Sequence, residues 1–198
     1  MNKKNFSEKF NLSNYTTIKV GGVAEYFAEP RSICEFLNLI KWSNLNNQRC
    51  QIIGAGSNLL INNIFIKGLV ICTKKMKSLI IEQYSGIVEA EAGVMLPTLS
   101  NSLAKNGLQG GEWAVGIPGT VGGAIYMNAG TGYLSLANNL ISVKVINKKT
   151  LKKLEIEKKD ISFKYRYSPF QSNDLAIISA KLHFEPNGNY EEIIQTTK

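Results

Sequence analysis

The sequence predicts an α+β fold of two lobes, a small α/β lobe followed by a larger mixed-sheet lobe, and it argues against a Rossmann fold. Two observations support this prediction. Short strand-like runs surround one amphipathic helix in the first part of the chain, and strand-like runs restart near residue 80 and dominate the rest. We place the lobes at residues 1–75 and 76–186, and we expect residues 187–198 to begin a linker or third domain that is cut short.

The first lobe is predicted from an alternation of apolar and polar residues and from one sequence signal for the start of a helix. Residues 16 to 30 alternate apolar and polar side chains and end at Pro30, which indicates paired strands. Ser32 and Glu35 have the spacing of a capping box, so a helix is expected to begin there. Its apolar face consists of Ile33, Phe36, Leu37 and Ile40. The lobe is completed by strand-like runs at Gln51 to Gly54 and Leu69 to Thr73.

The second lobe begins with the alternating run Ile87 to Ala92. Pro97 suits a first helical position and Gly107 suits a helix C-terminus, so a helix is expected between them. Its apolar face consists of Leu96, Leu99 and Leu103. Further strands are predicted at Leu140 to Asn147, Leu151 to Glu157 and Leu175 to Glu185. Helical spacing is also found at Tyr190, Ile193, Ile194 and Thr197.

Between these elements lies a stretch rich in glycine, Gly116 to Ala124, which we expect to be neither an ordinary helix nor a strand. Glycines allow positive φ angles and a close approach of a ligand to the backbone, and Pro118 stiffens the turn. Successive N–H groups in such a turn form a concave anion site. A tight apolar turn that binds nothing is the alternative.

A second glycine stretch, Ile52 to Leu60, looks like a strand that enters a loop. It is not the dinucleotide fingerprint, because that pattern needs glycine where Leu59 stands and a helix where residues 60–65 indicate strand and turn. One such loop is compatible with a simple hairpin turn, but two favour a diphosphate-containing cofactor. The candidate cofactor-binding residues are Gly54, Ala55, Gly56, Ser57, Asn58, Ile117, Gly119, Thr120, Gly122 and Gly123.

Composition and charge narrow the class of protein. The chain of 198 residues has a net charge of +8 and no apolar run long enough for a membrane span or an export signal, so we expect a cytoplasmic protein without a membrane partner. Cys34, Cys50 and Cys72 have no metal-ligand spacing and are expected to be reduced structural thiols. Nucleic-acid binding is the rival explanation of the charge. A solvated lysine face is favoured, and it consists of Lys148, Lys149, Lys152, Lys153, Lys158 and Lys159.

Five motifs together carry a family resemblance: Asn14 to Gly22, Gly54 to Leu60, Gly116 to Ala124, Met127 to Gly130, and Tyr165 to Phe170. From about residue 12 onward the chain resembles the UDP-N-acetylenolpyruvoylglucosamine reductases, flavoenzymes of bacterial peptidoglycan synthesis. The resemblance implies FAD held without a covalent bond between the two lobes and NADPH as hydride donor. It also implies hydride transfer from the flavin to the enolpyruvyl group of a UDP-sugar, with no metal ion.

The resemblance makes Arg166 the catalytic residue and gives Tyr165 and Arg166 contacts to the substrate. A guanidinium can hold a carboxylate through two parallel N–H bonds. From the residues alone, a surface arginine packed between Tyr165 and Tyr167 is the alternative. Ser168 is not expected to replace the serine that donates a proton in this family, and His183 is expected to be an ordinary strand residue and not a flavin attachment site.

The sequence also departs from the family in two places. The family's Gly-Ser-x-Phe serine and late glutamate do not occur in these residues, so little or no turnover is expected of this chain alone. The turn Gly130 to Tyr133 differs from the usual Gly-Ala-Tyr-Gly, which puts contacts on the substrate side in doubt. Two alternatives therefore remain, an FAD-dependent oxidase of the same domain class and a non-catalytic binding module. The oligomeric state is not predicted.

Overall fold

The structure is a computed structural model that describes residues 6–62, 64–172, 174–189 and 191. The strands, in chain order, are β1 (Ser7–Asn11), β2 (Val23–Ala28), β3 (Cys50–Ile53), β4 (Phe65–Cys72), β5 (Leu79–Glu82), β6 (Ile87–Glu91), β7 (Gly130–Thr131), β8 (Leu134–Ser135), β9 (Leu140–Asn147), β10 (Lys153–Glu157) and β11 (Leu175–His183). The helices are α1 (Ile33–Leu45), α2 (Leu96–Lys105), α3 (Val121–Met127) and α4 (Leu136–Asn139). Within these ranges no helix is long and apolar enough to cross a membrane. The predicted helical spacing after residue 189 lies outside the described residues.

The first sheet has the strand order β1-β2-β4-β3. β1 pairs antiparallel with β2, whereas β4 runs parallel to β2 and β3. The prediction of paired strands within residues 16 to 30 is therefore wrong in one respect, because the antiparallel partner of β2 lies earlier in the chain. Residues 16–22 form a loop instead, in which the Thr16 hydroxyl donates a hydrogen bond to the Val20 carbonyl at 2.7 Å.

Helix α1 begins where the capping-box spacing predicts. The Glu35 amide donates to the Ser32 hydroxyl at 3.2 Å, while the Glu35 carboxylate accepts from the Arg31 amide at 2.7 Å. The carboxylate thus reaches the residue before the cap instead of the cap itself. The helix runs on to Leu45 and buries Phe36, Leu39, Ile40 and Ser43.

The second sheet is antiparallel, with the order β10-β9-β11-β6-β5. Its central strand β11 is buried along most of its length because β9 and β6 flank it and helices cover it. Several boundaries differ from the prediction: β3 differs by one residue at each end, β6 ends one residue early, and β11 ends at His183, two residues before the predicted Glu185. β4 begins four residues before Leu69, and β10 begins at Lys153 because Leu151 takes a positive φ of 60° in the preceding turn.

The central glycine stretch is half helical, which corrects the expectation that it forms no ordinary helix. Only residues 116–120 form a turn, and α3 begins at Val121. The helix starts there because Thr120 is a favourable N-cap, and its hydroxyl accepts a hydrogen bond from the Gly123 amide at 3.3 Å. The α+β class and the exclusion of a Rossmann fold are both confirmed.

The two sheets share a core at helix α1. One cluster of buried side chains contains Phe36 from α1 and Ile71 from the first sheet together with Ile146 and Ile178 from the second sheet. Phe36 is fully buried in this cluster. Packing of α1 therefore fixes how the two sheets meet.

We expect Phe36→Ala to lower the free energy of unfolding by about 3–5 kcal/mol, because the truncation leaves a cavity in this shared core. Urea unfolding followed by circular dichroism measures the change. Leu45→Ala is the matched control, since Leu45 lies in the last turn of the same helix and is 73% exposed. The control is expected to change stability by no more than about 0.5 kcal/mol. Equal losses in the two variants would contradict the described packing.

Candidate cofactor-binding site

A cavity of about 770 Å³ lies between the two glycine-rich loops. Its size falls within the range of about 300–1,000 Å³ that is usual for small-molecule sites. Most of the predicted site residues line it, namely Gly54, Ala55, Ser57, Asn58, Ile117, Gly119, Thr120, Gly122, Gly123 and Arg166. Gly56 and Tyr165 are not among its lining residues.

The lining of the cavity carries positive charge. Lys148 and Arg166 line it, whereas the described residues of the lining include no aspartate or glutamate. Such a cavity favours a negatively charged ligand. Within the expected lysine face, Lys148 is half-buried and lines the cavity, while its exposed neighbour Lys149 pairs with Asp174 at 2.6 Å.

The loop after β3 is supported from behind by the turn at residues 15–17. The Thr17 amide donates to the Gly56 carbonyl at 3.3 Å. Gly56 has a φ of +70°, and a Cβ there would collide with the Tyr15 carbonyl oxygen. Gly56 is therefore required by this backbone contact and does not itself face the cavity.

The same loop leaves three backbone amides unused. Within the described part of the chain, the amides of Ala55, Ser57 and Asn58 have no hydrogen-bond partner. All three residues line the cavity. Adjacent free amides of this kind can bind an anionic group such as a phosphate.

The two loops touch at Gly54 and Thr120. A Cβ on Gly54 would lie 2.5 Å from the Thr120 hydroxyl oxygen, so only glycine permits this approach. The second loop is fixed to the start of α2 and to the segment before it. The Leu96 amide donates to the Gly119 carbonyl at 2.9 Å, and the Val121 amide donates to the Val94 carbonyl at 2.8 Å. The cavity thus lies at a junction held from both sides.

Gly122 and Gly123 are adjacent in α3 but face different surroundings. A Cβ on Gly122 would lie 2.8 Å from the Ala92 side chain, so this glycine allows α3 to pack on the chain after β6. A Cβ on Gly123 would meet only the Thr120 hydroxyl oxygen, at 3.5 Å. The fold does not require glycine at position 123, but its absent side chain keeps the cavity wall clear.

Arg166 lies at the edge of the cavity on a tight turn. The Lys164 and Tyr167 backbones exchange two hydrogen bonds of 3.1 Å, and Arg166 between them has a positive φ of 53°. Its guanidinium donates to the Gly130 carbonyl at 3.2 Å and lies 5.4 Å from the centre of the Tyr165 ring. Tyr165 is largely exposed beside the cavity. The structure thus places Arg166 in the lining of the same cavity as the two glycine-rich loops. Tyr165 contacts Arg166 but does not line the cavity.

Several lining residues were not predicted from the sequence. Leu175, Ala176 and Ile177 line the cavity, although their apolar run indicates only a buried strand. Tyr126 and Gln171 also line it. The one signal that could have identified Gln171 is its position directly after the motif Tyr165 to Phe170.

The ionisable groups near the cavity do not form a nucleophile or a metal centre. Burial raises the pKa of the Cys72 thiol to about 11, and this thiol donates to the Gly54 carbonyl at 3.3 Å. Burial, together with a hydrogen bond to Glu29, raises the pKa of Tyr15 to about 12. Both groups are therefore protonated at neutral pH. Among the described residues, no cluster of His, Cys, Asp and Glu is arranged to bind a metal ion.

Neither Ser168 nor His183 is placed to transfer a proton to a ligand in the cavity. Ser168 is fully buried, and its hydroxyl donates to the Tyr126 carbonyl at 2.8 Å. His183 is the last residue of β11 and does not line the cavity. The turn Gly130 to Tyr133 lies in the small β7–β8 hairpin, where the Tyr133 side chain is fully exposed.

Comparisons with known proteins identify the family. Residues 24–150 match the family model described as FAD binding domain. A UDP-N-acetylenolpyruvoylglucosamine reductase of Prochlorococcus marinus subsp. pastoris is 73% identical over 98% of this chain, which spans 65% of that relative. The reductase of Prochlorococcus marinus strain NATL2A is 43% identical over 100% of this chain and 67% of its own length.

A solved structure agrees with these relatives. The crystal structure of the UDP-N-acetylenolpyruvylglucosamine reductase from Thermus caldophilus matches with a TM-score of 0.75 and 29% identity, over 94% of this chain and 65% of that one. The chain thus spans about two thirds of the length of the Prochlorococcus marinus subsp. pastoris relative and of the Thermus caldophilus structure. The FAD binding domain and the two Prochlorococcus relatives together show that the chain belongs to the UDP-N-acetylenolpyruvoylglucosamine reductase family.

Proposed function

We propose that this chain binds FAD without a covalent bond and forms the flavin-binding part of an NADPH-dependent enzyme. The enzyme reduces the enolpyruvyl group of UDP-N-acetylenolpyruvoylglucosamine and yields UDP-N-acetylmuramate for peptidoglycan synthesis. The proposed compartment is the cytoplasm, where NADPH and nucleotide sugars are found. The two lobes, residues 1–75 and 76–186, are proposed to hold the cofactor between them.

The observation that carries this proposal is the meeting of two glycine-rich loops at one cavity, whose described lining has cationic side chains and no carboxylates. Free amides at Ala55, Ser57 and Asn58 suit the diphosphate of FAD. The open space beside Gly123 leaves room for it. Apolar walls from Ile117, Leu175 and Ile177 suit the aromatic rings. The residues present therefore fit this cofactor.

The chemistry that FAD supplies when bound is hydride transfer from NADPH to the enolpyruvyl group. The protein's part is to orient the reactants and to stabilise negative charge. We assign the second role to Arg166, whose planar guanidinium can bind the substrate carboxylate with two N–H groups. One of its nitrogens already donates to the Gly130 carbonyl, which directs the group before substrate arrives. We assign no proton donor to Ser168, because its hydroxyl is committed to Tyr126.

We expect the purified chain to bind FAD saturably and acid denaturation to release the flavin into the supernatant. Two glycine loops supply backbone contacts for the diphosphate, and neither loop carries a His, Cys or Tyr that could attach the flavin. Absorbance titration and analysis of the acid precipitate measure this. Flavin retained in the precipitate, or protein that never takes up FAD, would contradict the proposal.

The rival functions give different results in the same preparation. An oxidase would consume NADPH at the same rate with or without the enolpyruvyl substrate. A basic binding module would purify without colour and would bind nucleic acid with a steep dependence on salt. Either result would replace the proposed function.

We expect Gly123→Ala to weaken FAD binding by about 10–100-fold, which is equivalent to about 1.5–3 kcal/mol. The reason is that the added methyl group would obstruct the approach of the diphosphate to the backbone amides of the cavity. The free energy of unfolding of the ligand-free chain should be unchanged or higher, since alanine has a higher helix propensity than glycine by up to about 1 kcal/mol. FAD titrations and thermal melts of the ligand-free protein measure the two effects.

Gly56→Ala is the matched comparison for Gly123→Ala. It should lower the melting temperature of the ligand-free chain, because position 56 combines a positive φ with contact to the Tyr15 carbonyl. If Gly123→Ala left FAD affinity unchanged, the α3 end of the cavity would not contact the cofactor.

We expect Arg166→Lys to retain FAD but to weaken binding of the enolpyruvyl substrate by about 10–100-fold, because an ammonium cannot reproduce two parallel N–H bonds. Substrate titration of the FAD-loaded chain, followed by flavin absorbance, measures this. Arg49→Lys is the control, since Arg49 does not line the cavity. Equal substrate affinity in the wild type and in Arg166→Lys would show that Arg166 does not bind the substrate carboxylate.

A further inference from the structure

The turn that carries Arg166 is attached to the C-terminal end of helix α3 by side-chain hydrogen bonds. The Ser168 hydroxyl donates to the Tyr126 carbonyl at 2.8 Å, and the Asn128 amide group donates to the Lys164 carbonyl at 3.0 Å. These two bonds lie on either side of the turn. They attach its two ends but do not reach the backbone of Arg166 itself.

Gln171 makes the contact that reaches Arg166 directly. Its side-chain amide nitrogen donates to the Tyr126 carbonyl at 2.9 Å and to the Arg166 carbonyl at 3.2 Å. Within the described part of the chain, it is the one side chain that bonds the Arg166 backbone. Gln171 is half-buried and lines the same cavity as Arg166.

The conformation of Arg166 needs such support. Its positive φ of 53° lies in the left-handed region that residues other than glycine seldom adopt. Conformations of this kind persist where the surroundings hold them, and they are frequent at functional sites. A carbonyl fixed by Gln171 therefore stabilises the backbone angle that points the Arg166 side chain toward Gly130 and the cavity.

We propose that Gln171 is a positioning residue that holds the Arg166 turn on helix α3 and thereby prepares the guanidinium to receive the substrate carboxylate. This inference rests on the proposed function, in which Arg166 makes that contact. Gln171 itself touches no reacting atom in this scheme. It acts through the Arg166 backbone.

The test uses the chain labelled with ¹⁵N-arginine, which gives signals from Arg31, Arg49 and Arg166 only. Gln171→Met keeps the side-chain length and removes both N–H donors. We expect the backbone order parameter of Arg166 to fall from about 0.8 in the wild type to below about 0.6 in this variant. Arg31 and Arg49 should keep their values. Gln171→Leu is a second variant with the same expectation, and exposed Gln83→Met is the matched control.

A pyruvate titration then measures the functional consequence, with the Arg166 side-chain Nε signal as the readout. We expect pyruvate to bind about tenfold more weakly to Gln171→Met, since the disordered turn must be ordered on binding. An unchanged Arg166 order parameter in the Gln171 variants, or an equal fall at all three arginines, would overturn the positioning role. An ordered wild-type Arg166 that gives no response to pyruvate would instead contradict the carboxylate contact of the proposed function, because the order parameters are measured without any ligand.

Discussion

The close contact between Gly54 and Thr120 is the constraint on which the cavity depends. Gly54 follows β3 of the first sheet, and Thr120 caps the helix that packs on the second sheet. A Cβ at position 54 would lie 2.5 Å from the Thr120 hydroxyl oxygen, so either this hydroxyl would leave its capping position at the start of α3 or the two loops would move apart. The cavity lies where these two loops meet. The shared core around Phe36 packs α1 and the two sheets against one another.

Helix α3 connects the two ends of the site with only seven residues. Its first turn carries the glycines of the cofactor loop, and its C-terminal end accepts the hydrogen bonds of Ser168 and Gln171. Asn128 ends the helix in a left-handed conformation and reaches the Arg166 turn. Helix α3 thus joins the glycine-rich loop to the Arg166 turn through direct contacts. In the proposed function, this one short helix would set the distance between the flavin and the substrate carboxylate.

Local patterns in the sequence predict the helices and strands but not which strands pair with one another. The capping residue Ser32 and the apolar spacing after it identify α1, since both signals arise within one or two helical turns. The pairing of β2 with residues 7–11 depends on contacts that no local alternation contains. The sequence of the central glycine stretch does not predict helix α3, because glycine has a low helix propensity. The helix forms because the Thr120 cap and packing against Ala92 outweigh that propensity. Lys148 could not be separated from its lysine-rich surroundings, because only the tertiary fold turns it to the cavity.

The cationic side chains of the cavity lining, which has no carboxylate among its described residues, also affect the rate of ligand binding. Lys148 and Arg166 act on an approaching anion from within a concave, partly apolar surface, which concentrates their field at the opening. Capture of a diphosphate should therefore be faster than random collision with a neutral patch would allow, and it should slow as added salt shortens the Debye length from about 30 Å at 0.01 M to about 8 Å at 0.15 M. In the proposed site, small anions such as inorganic phosphate would compete with the diphosphate for the loop amides. The rate at which the chain takes up FAD would then depend on the ionic composition of the solution as well as on the supply of flavin.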